Sequence, residues 1–219
     1  MIELKTHNKI LIFDLDNTIY QTHKYGVYDQ LSFNIFNFIS TLLEISYVEA
    51  EALSTNYQNK YGTTVLGLLK EHSIDPEDFL NQAYNVSFEN VIIDNNLQCL
   101  LSRIQNNKKI IFTNATETYA SKLLEKMGIK DFFHGIFDIY NSKFTSKPNL
   151  ISFEYFESHF NIEYSNCIFI DDRRQNLVTA SKKGAITILC NKAKIIDSSY
   201  INVHVKDIYE ALKLIIKLR

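Results

Sequence analysis

The chain has 219 residues, 46% of them hydrophobic and 22% charged, with a net charge of −2. That size and hydrophobic content fit one domain, or one core domain carrying a smaller insert, around a sizeable core. The near-balanced charge, without any long basic run, removes the electrostatic case for a nucleic-acid surface. The three cysteines, Cys99, Cys167 and Cys190, are isolated and odd in number. Each lies in an apolar segment, so reduced, buried thiols are expected and not a disulfide framework. The first residues run into a strand without the apolar stretch of a signal peptide, and no apolar run approaches transmembrane length. A cytoplasmic protein with no membrane partner is the expectation.

Lys9 to Leu15 reads as a buried strand. Ile10, Leu11, Ile12 and Phe13 form a continuous apolar run, as parallel strands covered on both faces do. A polar turn follows at Gln21 to Tyr25. Between Tyr28 and Ile45 the apolar residues Leu31, Ile35, Phe38, Ile39 and Leu42 recur at helical spacing. Val48 to Lys60 and Thr63 to His72 read as two more helices, the second capped by Thr63 or Thr64. Asp75-Pro76-Glu77 starts a fourth, with aspartate at the N-cap and proline at the first helical position. So much helix before the next sheet signal exceeds a βα crossover. It reads as an inserted cap at residues 21–91, between core segments 1–20 and 92–219.

The sheet pattern then resumes. Leu97 to Ile104 is helical, Lys109 to Phe112 a strand, and Thr116 to Met127 a helix stopped by Gly128. Gly135 to Asp138 is a short strand, Asn149 to Phe160 a helix, and Cys167 to Ile170 a strand. Leu177 to Lys183 is a helix closed by Gly184, and Ile186 to Cys190 a strand. Val203 to Val205 is an edge strand, and Asp207 to Leu218 the last helix. Strands alternating with helices imply an α/β fold with a mostly parallel sheet.

Such sheets build sites outside the carboxyl ends of their strands, and reactive residues gather at those ends. Asp14 and Asp16 follow the first strand, Thr113 and Asn114 the second, and Asp171 and Asp172 a later one. Lys147 stands in a loop stiffened by Pro148. Crowded carboxylates resist ionisation unless a cation joins them, and Mg²⁺ typically binds through few carboxylates, waters and phosphate oxygens. Phosphate-ester hydrolysis needs a nucleophile, a proton donor and charge neutralisation. Asp14 suits the first role and Asp16 the second, as acid and then base, projecting to the same side if the chain stays roughly extended. Thr113 and the backbone N–H after it suit a phosphate oxygen. Lys147 suits the charge of phosphate and nucleophile together. Of Asp171 and Asp172 one binds the metal and the other orients a ligand or water, with Asp171 favoured as the direct ligand. The histidines are scattered without metal-ligand spacing. Gly62-Thr63-Thr64-Val65-Leu66-Gly67 has the spacing of a P-loop but lacks the following Lys-Ser/Thr.

The order Asp14-Leu15-Asp16-Asn17-Thr18, then Thr113, then Lys147-Pro148, then Asp171-Asp172 resembles the phosphatase branch of the haloacid dehalogenase superfamily over roughly Lys9 to Asn191. Ile19-Tyr20, Tyr61-Gly62, Gly67-Leu68, Phe112-Thr113-Asn114-Ala115 and Phe169-Ile170 add a resemblance to the pyrimidine 5′-nucleotidase-like group. It implies a Rossmann-like core with a helical cap of the C1 type. It further implies a Mg²⁺-dependent phosphomonoesterase acting on a small-molecule nucleoside 5′-monophosphate, UMP or CMP, with a sugar-phosphate or phosphoglycolate phosphatase as the alternative. The metal would be held by Asp14, Asp171 and the backbone carbonyl of Asp16. Asn114 and Lys147 would bind substrate, and Tyr61 would offer a face for a base. Arg173 and Arg174 depart from the pattern, since the first of these positions often carries a small residue.

Overall fold

The apolar runs pair into a single sheet. The structure, a computed structural model, describes residues 8–104, 106–193 and 199–218. The strands are β1 (Ile10–Phe13), β2 (Lys109–Phe112), β3 (Ile136–Phe137), β4 (Cys167–Asp171), β5 (Ile186–Cys190) and β6 (Val203–Val205). They lie in the order β3-β2-β1-β4-β5-β6, every pair parallel. Strand order reverses beside β1, whose neighbours are β2 and β4, so a crevice opens where those three strands end. The register sets the carboxyl ends level, with Phe13 opposite both Ile111 and Ile170.

Alternate strand residues face opposite layers. Leu11, Phe13, Ile111, Ile168 and Ile170 join one core with α5 (Asn95–Ser102), α6 (Glu117–Lys126) and α9 (Ile208–Lys217). Ile12, Ile110, Phe112 and Phe169 join the other with α7 (Leu150–Phe160) and α8 (Arg174–Lys182). Each helix starts where the sequence supplies a cap. Thr116 accepts from Tyr119 N–H, Asn149 from Ile151 N–H and Asp207 from Glu210 N–H. Among the helices packed on the sheet the exception is α8, which begins at Arg174 with no side-chain cap, three residues before its first large apolar residue, Leu177.

The insert is a cluster of four helices with its own core: α1 (Val27–Leu43), α2 (Tyr47–Tyr61), α3 (Thr64–Glu71) and α4 (Pro76–Ala83). Phe38, Ile39, Tyr57, Leu68, Phe79 and Leu80 pack there around Ile139, which comes from the loop after β3. A capping box at Ser46 and Glu49 starts α2, Thr63 caps α3, and Asp75 caps α4 with Pro76 behind it. Gly67 permits the closest helix contact, since a Cβ there would lie 2.2 Å from the Tyr57 ring.

Two expectations need correction. Cys99 is exposed, whereas Cys167 and Cys190 are buried, all three being free thiols. On α5 the buried positions are Leu97, Leu100 and Leu101, and position 99 is rotated about 200° from Leu97, onto the solvent face. Second, the chain after Asp14 does not stay extended. Asn17 adopts a left-handed conformation (φ 62°) and the backbone folds into a turn, with Ile19 N–H donating to Leu15 O at 2.9 Å. Asparagine tolerates that conformation better than most residues. Among the described residues, no single helix is long and apolar enough to cross a membrane.

Candidate active site

Asp14 leaves the end of β1 with Asp14 N–H bonded to Ile170 O at 2.9 Å, so its carboxylate starts between β1 and β4. Both oxygens are held. Lys147 Nζ donates to Oδ1 at 2.8 Å, and Thr18 Oγ1 donates to Oδ2 at 2.8 Å. The turn at Asn17 is what brings Thr18 back over Asp14. Thr18 is therefore a site residue whose role spacing alone did not reveal.

Lys147 is 1% exposed and uses all three of its N–H donors. Besides Asp14 it donates to Phe112 O at 2.6 Å and to Asp171 Oδ2 at 3.0 Å. Burial works against its charge, but Asp14 and Asp171 outweigh burial and raise its pKa. Its loop is fastened to the end of β2. Lys147 N–H donates to Asn114 Oδ1 at 2.9 Å, and Asn114 Nδ2 donates to Lys147 O at 3.2 Å. Asn114, expected to touch substrate, thus directs its polar atoms to the lysine backbone while lining the cleft. Thr113 is buried, and its Oγ1 accepts from Ala115 N–H at 3.0 Å.

Asp171 is fully buried. Its Oδ1 accepts from Arg173 N–H and Asn176 Nδ2, and its Oδ2 from Lys147 and Asn176 Nδ2. Asp172 has no hydrogen bond to its carboxylate among the described residues. Both acids are pushed up, first by burial; Asp14 adds to this in each case, and Lys147 opposes it. One ligand oxygen from each of Asp14, Asp171 and Asp172 lies within 4.8 Å of the others. Three carboxylates around one ammonium form a hard, oxygen-rich, electron-rich set, which fits a divalent cation. Asp171 has both oxygens engaged by protein donors, whereas the Asp172 carboxylate has none among the described residues.

The Asp16 side chain stands apart from that cluster. Tyr20 and Tyr119 each donate to its Oδ1 at 2.7 Å. Burial, with Asp14 nearby, pushes the Asp16 carboxyl up to about 6, against the pull of the two hydroxyls. Burial and the Asp16 charge raise both phenols far above their ordinary range, which keeps them protonated. Neither tyrosine was legible as a site residue, because both sit at apolar-patterned positions.

A cavity of about 200 Å³ separates insert and sheet, lined in part by Gln58, Gly62, Thr63, Tyr84, Asn114 and Arg173. A second, of about 390 Å³, adjoins it and includes Tyr61, Ser146, Gln175 and Arg173. Tyr61 lies in this second cavity. Its hydroxyl donates to Glu71 Oε1, and Lys60 Nζ sits 4.7 Å from its ring centre, covering one face. Gly62 meets the core directly, since a Cβ there would come 2.8 Å from Ser146 Oγ.

The sequence pattern of one family, haloacid dehalogenase-like hydrolase, matches residues 8–182. Phosphate metabolism protein 8 of Saccharomyces cerevisiae is 30% identical over an alignment 196 residues long that covers 80% of this chain and 59% of that protein. Solved structures share the fold at low identity. A HAD phosphatase from Thermococcus onnurineus superposes with TM-score 0.61 at 17% identity, covering 94% of this chain and 97% of that one. The HAD-hydrolase YfnB from Bacillus subtilis, bound to magnesium, superposes with TM-score 0.63 at 16% identity, covering 95% and 99%. An L-2-haloacid dehalogenase from Xanthobacter autotrophicus, with chloropropionic acid covalently bound, superposes with TM-score 0.58 at 14% identity, covering 94% and 98%.

Proposed function

Since the chain belongs to the haloacid dehalogenase-like hydrolase family, we propose that it hydrolyses a phosphomonoester through an aspartyl-phosphate on Asp14. The observation that carries this reading is the setting of Asp14, held by Lys147 and Thr18 at the end of β1, with a second aspartate two residues on. Asp14 attacks phosphorus and the ester P–O bond breaks. Asp16 gives its proton to the departing oxygen. Asp16 then takes a proton from water as that water attacks the aspartyl-phosphate, which releases phosphate and restores the Asp14 carboxylate and the protonated Asp16. Lys147 balances charge on Asp14 and on the phosphate, and Thr113 holds a phosphate oxygen. Hydrolysis of a carbon–halogen bond has no alkoxide to protonate, so Asp16 favours the phosphatase over the dehalogenase chemistry.

A divalent cation, Mg²⁺ for an all-oxygen site, would be held by Asp14, Asp172 and the Asp16 backbone carbonyl, and would neutralise carboxylate and phosphate charge there. That YfnB was solved with magnesium supports the choice of ion. Phosphate release from p-nitrophenyl phosphate is expected to stop in chelator and return with Mg²⁺; full activity in chelator would remove the metal.

The insert, residues 21–91, is proposed as the cap that reads the leaving group. Nucleoside 5′-monophosphates, UMP or CMP, are the proposed substrates on the resemblance at Tyr61-Gly62 and Gly67-Leu68. The name of the yeast relative accords with phosphate chemistry. One observation favours the alternative of a small phosphorylated acid or sugar. Arg173 lines both cavities, and no ion pair holds its side chain among the described residues. A panel of UMP, CMP, AMP, GMP and phosphoglycolate separates the two. The higher kcat/KM is expected for a pyrimidine nucleotide, and phosphoglycolate ranking first would transfer the assignment to the alternative.

A further inference from the structure

Two tyrosines from separate parts of the chain converge on one oxygen of Asp16. Tyr20 belongs to the turn after β1, and Tyr119 lies in the first turn of α6. Both hydroxyls reach Asp16 Oδ1 at 2.7 Å, and they also touch each other. A carboxylate oxygen has two lone-pair sites in its plane, so two phenolic donors fill Oδ1. Oδ2 has no partner among the described residues. The tyrosines are themselves fixed, at 3% and 1% exposure. The Tyr119 ring packs against Tyr84 at 5.0 Å and Phe88 at 5.3 Å between ring centres, and Tyr20 stacks on Tyr25 at 6.5 Å.

We propose that Tyr20 and Tyr119 are positioning residues for the proton-transfer step. By holding Oδ1 they stop rotation of the Asp16 carboxyl, and they leave Oδ2 to carry the proton that passes to the leaving oxygen. The inference rests on the reading of Asp16 as the acid. It gives the pair a chemical role that two buried phenols in a core would not otherwise have. Tyr84 follows the last turn of α4, lines the cleft and packs on Tyr119. The cap wall and the acid's support are thus in contact.

The test compares leaving groups. p-Nitrophenolate departs without a proton, whereas an alkoxide needs one. Wild type, Tyr20→Phe, Tyr119→Phe and Asp16→Asn are followed through the first turnover, by release of the alcohol, on p-nitrophenyl phosphate and on an alkyl phosphate, which separates the acid step from the later hydrolysis that needs Asp16 as base with either substrate. Phenylalanine keeps each ring and its packing, and thermal unfolding of each variant checks that the fold is intact. Each tyrosine variant should lose about 10-fold or more in first-turnover release of the alkyl alcohol, a share of what general acid catalysis contributes. Its first-turnover release of p-nitrophenol should fall by less than about threefold, since that leaving group needs no proton. The substrate concentration giving half of that rate should stay near wild type for both. Equal losses on both substrates, or no loss on either, would overturn the positioning role. If Asp16→Asn itself fails to distinguish the substrates, the acid assignment falls and takes the inference with it. If Asp16→Asn distinguishes them and the tyrosine variants do not, only the inference falls.

Discussion

Asp14→Asn will abolish turnover, by about 10⁴-fold or more, and leave the fold in place. The substitution removes the nucleophilic charge but keeps the shape and an oxygen able to accept from Lys147. Thr18 can turn its hydroxyl to accept from the new amide. In the metal-free protein the carboxylates of Asp14, Asp171 and Asp172 crowd together and Lys147 pairs with two of them, so deleting one charge relieves repulsion. The metal-free variant should therefore unfold at or above the temperature of metal-free wild type while its phosphate release disappears. A rapid quench with labelled substrate should recover phosphate on the peptide carrying Asp14. Wild-type turnover by Asp14→Asn, or label on another residue, would end the covalent mechanism.

Lys147→Ala comes second in size, and it should damage activity and stability together. Turnover should fall by roughly 10²–10³-fold, the scale for losing a preorganised charge partner in a desolvated site. Stability should fall as well, because Asp171 is fully buried and Asp14 nearly so. Removing one member of a buried ion pair typically costs about 3–5 kcal/mol. Lys143→Ala is the matched control: Lys143 is exposed in the same loop, 4.8 Å from the centre of the Tyr155 ring. It should leave both quantities near wild type. The same small effect at both lysines would reduce Lys147 to a loop residue.

The sheet was readable because parallel strands buried on both faces announce themselves as apolar runs ending in polar residues, as Ile10–Phe13 and Lys109–Phe112 do. Helix starts were readable at Thr63, Asp75, Thr116, Asn149 and Asp207, where a capping side chain is present, but the caps at Ser46 and Asp94 went unread and those helices start one and two residues before the expected positions. The start of α8 was not, because Arg174, Gln175 and Asn176 form a polar first turn that gives no periodic signal before Leu177. Asp14, Asp171 and Asp172 could be gathered from the order of strand ends, since the topology brings those ends together, whereas Lys147, in a loop well past β3, was joined to them by the resemblance. What topology does not carry is how the donors are shared out. That Asp171 gives both oxygens to Lys147, Asn176 and the Arg173 N–H depends on rotamers and on the first turn of α8. Tyr20 and Tyr119 are separated by 99 positions; Tyr20 entered only as part of a family resemblance, and Tyr119 not at all. Their hydroxyls acquire meaning only when Asp16 is seen between them. Cys99 was misread for the opposite reason, an apolar neighbourhood in sequence that helical rotation turns outward.

The reciprocal bonds between the Asn114 side chain and the Lys147 backbone have a further consequence. A side-chain amide is occupying the place of a peptide group, making the pair of bonds that a neighbouring strand would make. The loop bearing the ammonium is in effect an additional rung of the sheet, although it has no strand conformation. On the proposed function, the charge that meets the phosphoryl group is thereby aimed from the end of the sheet. The four-helix insert, which touches the same loop at Gly62 and Ser146, would be left the choice of alcohol.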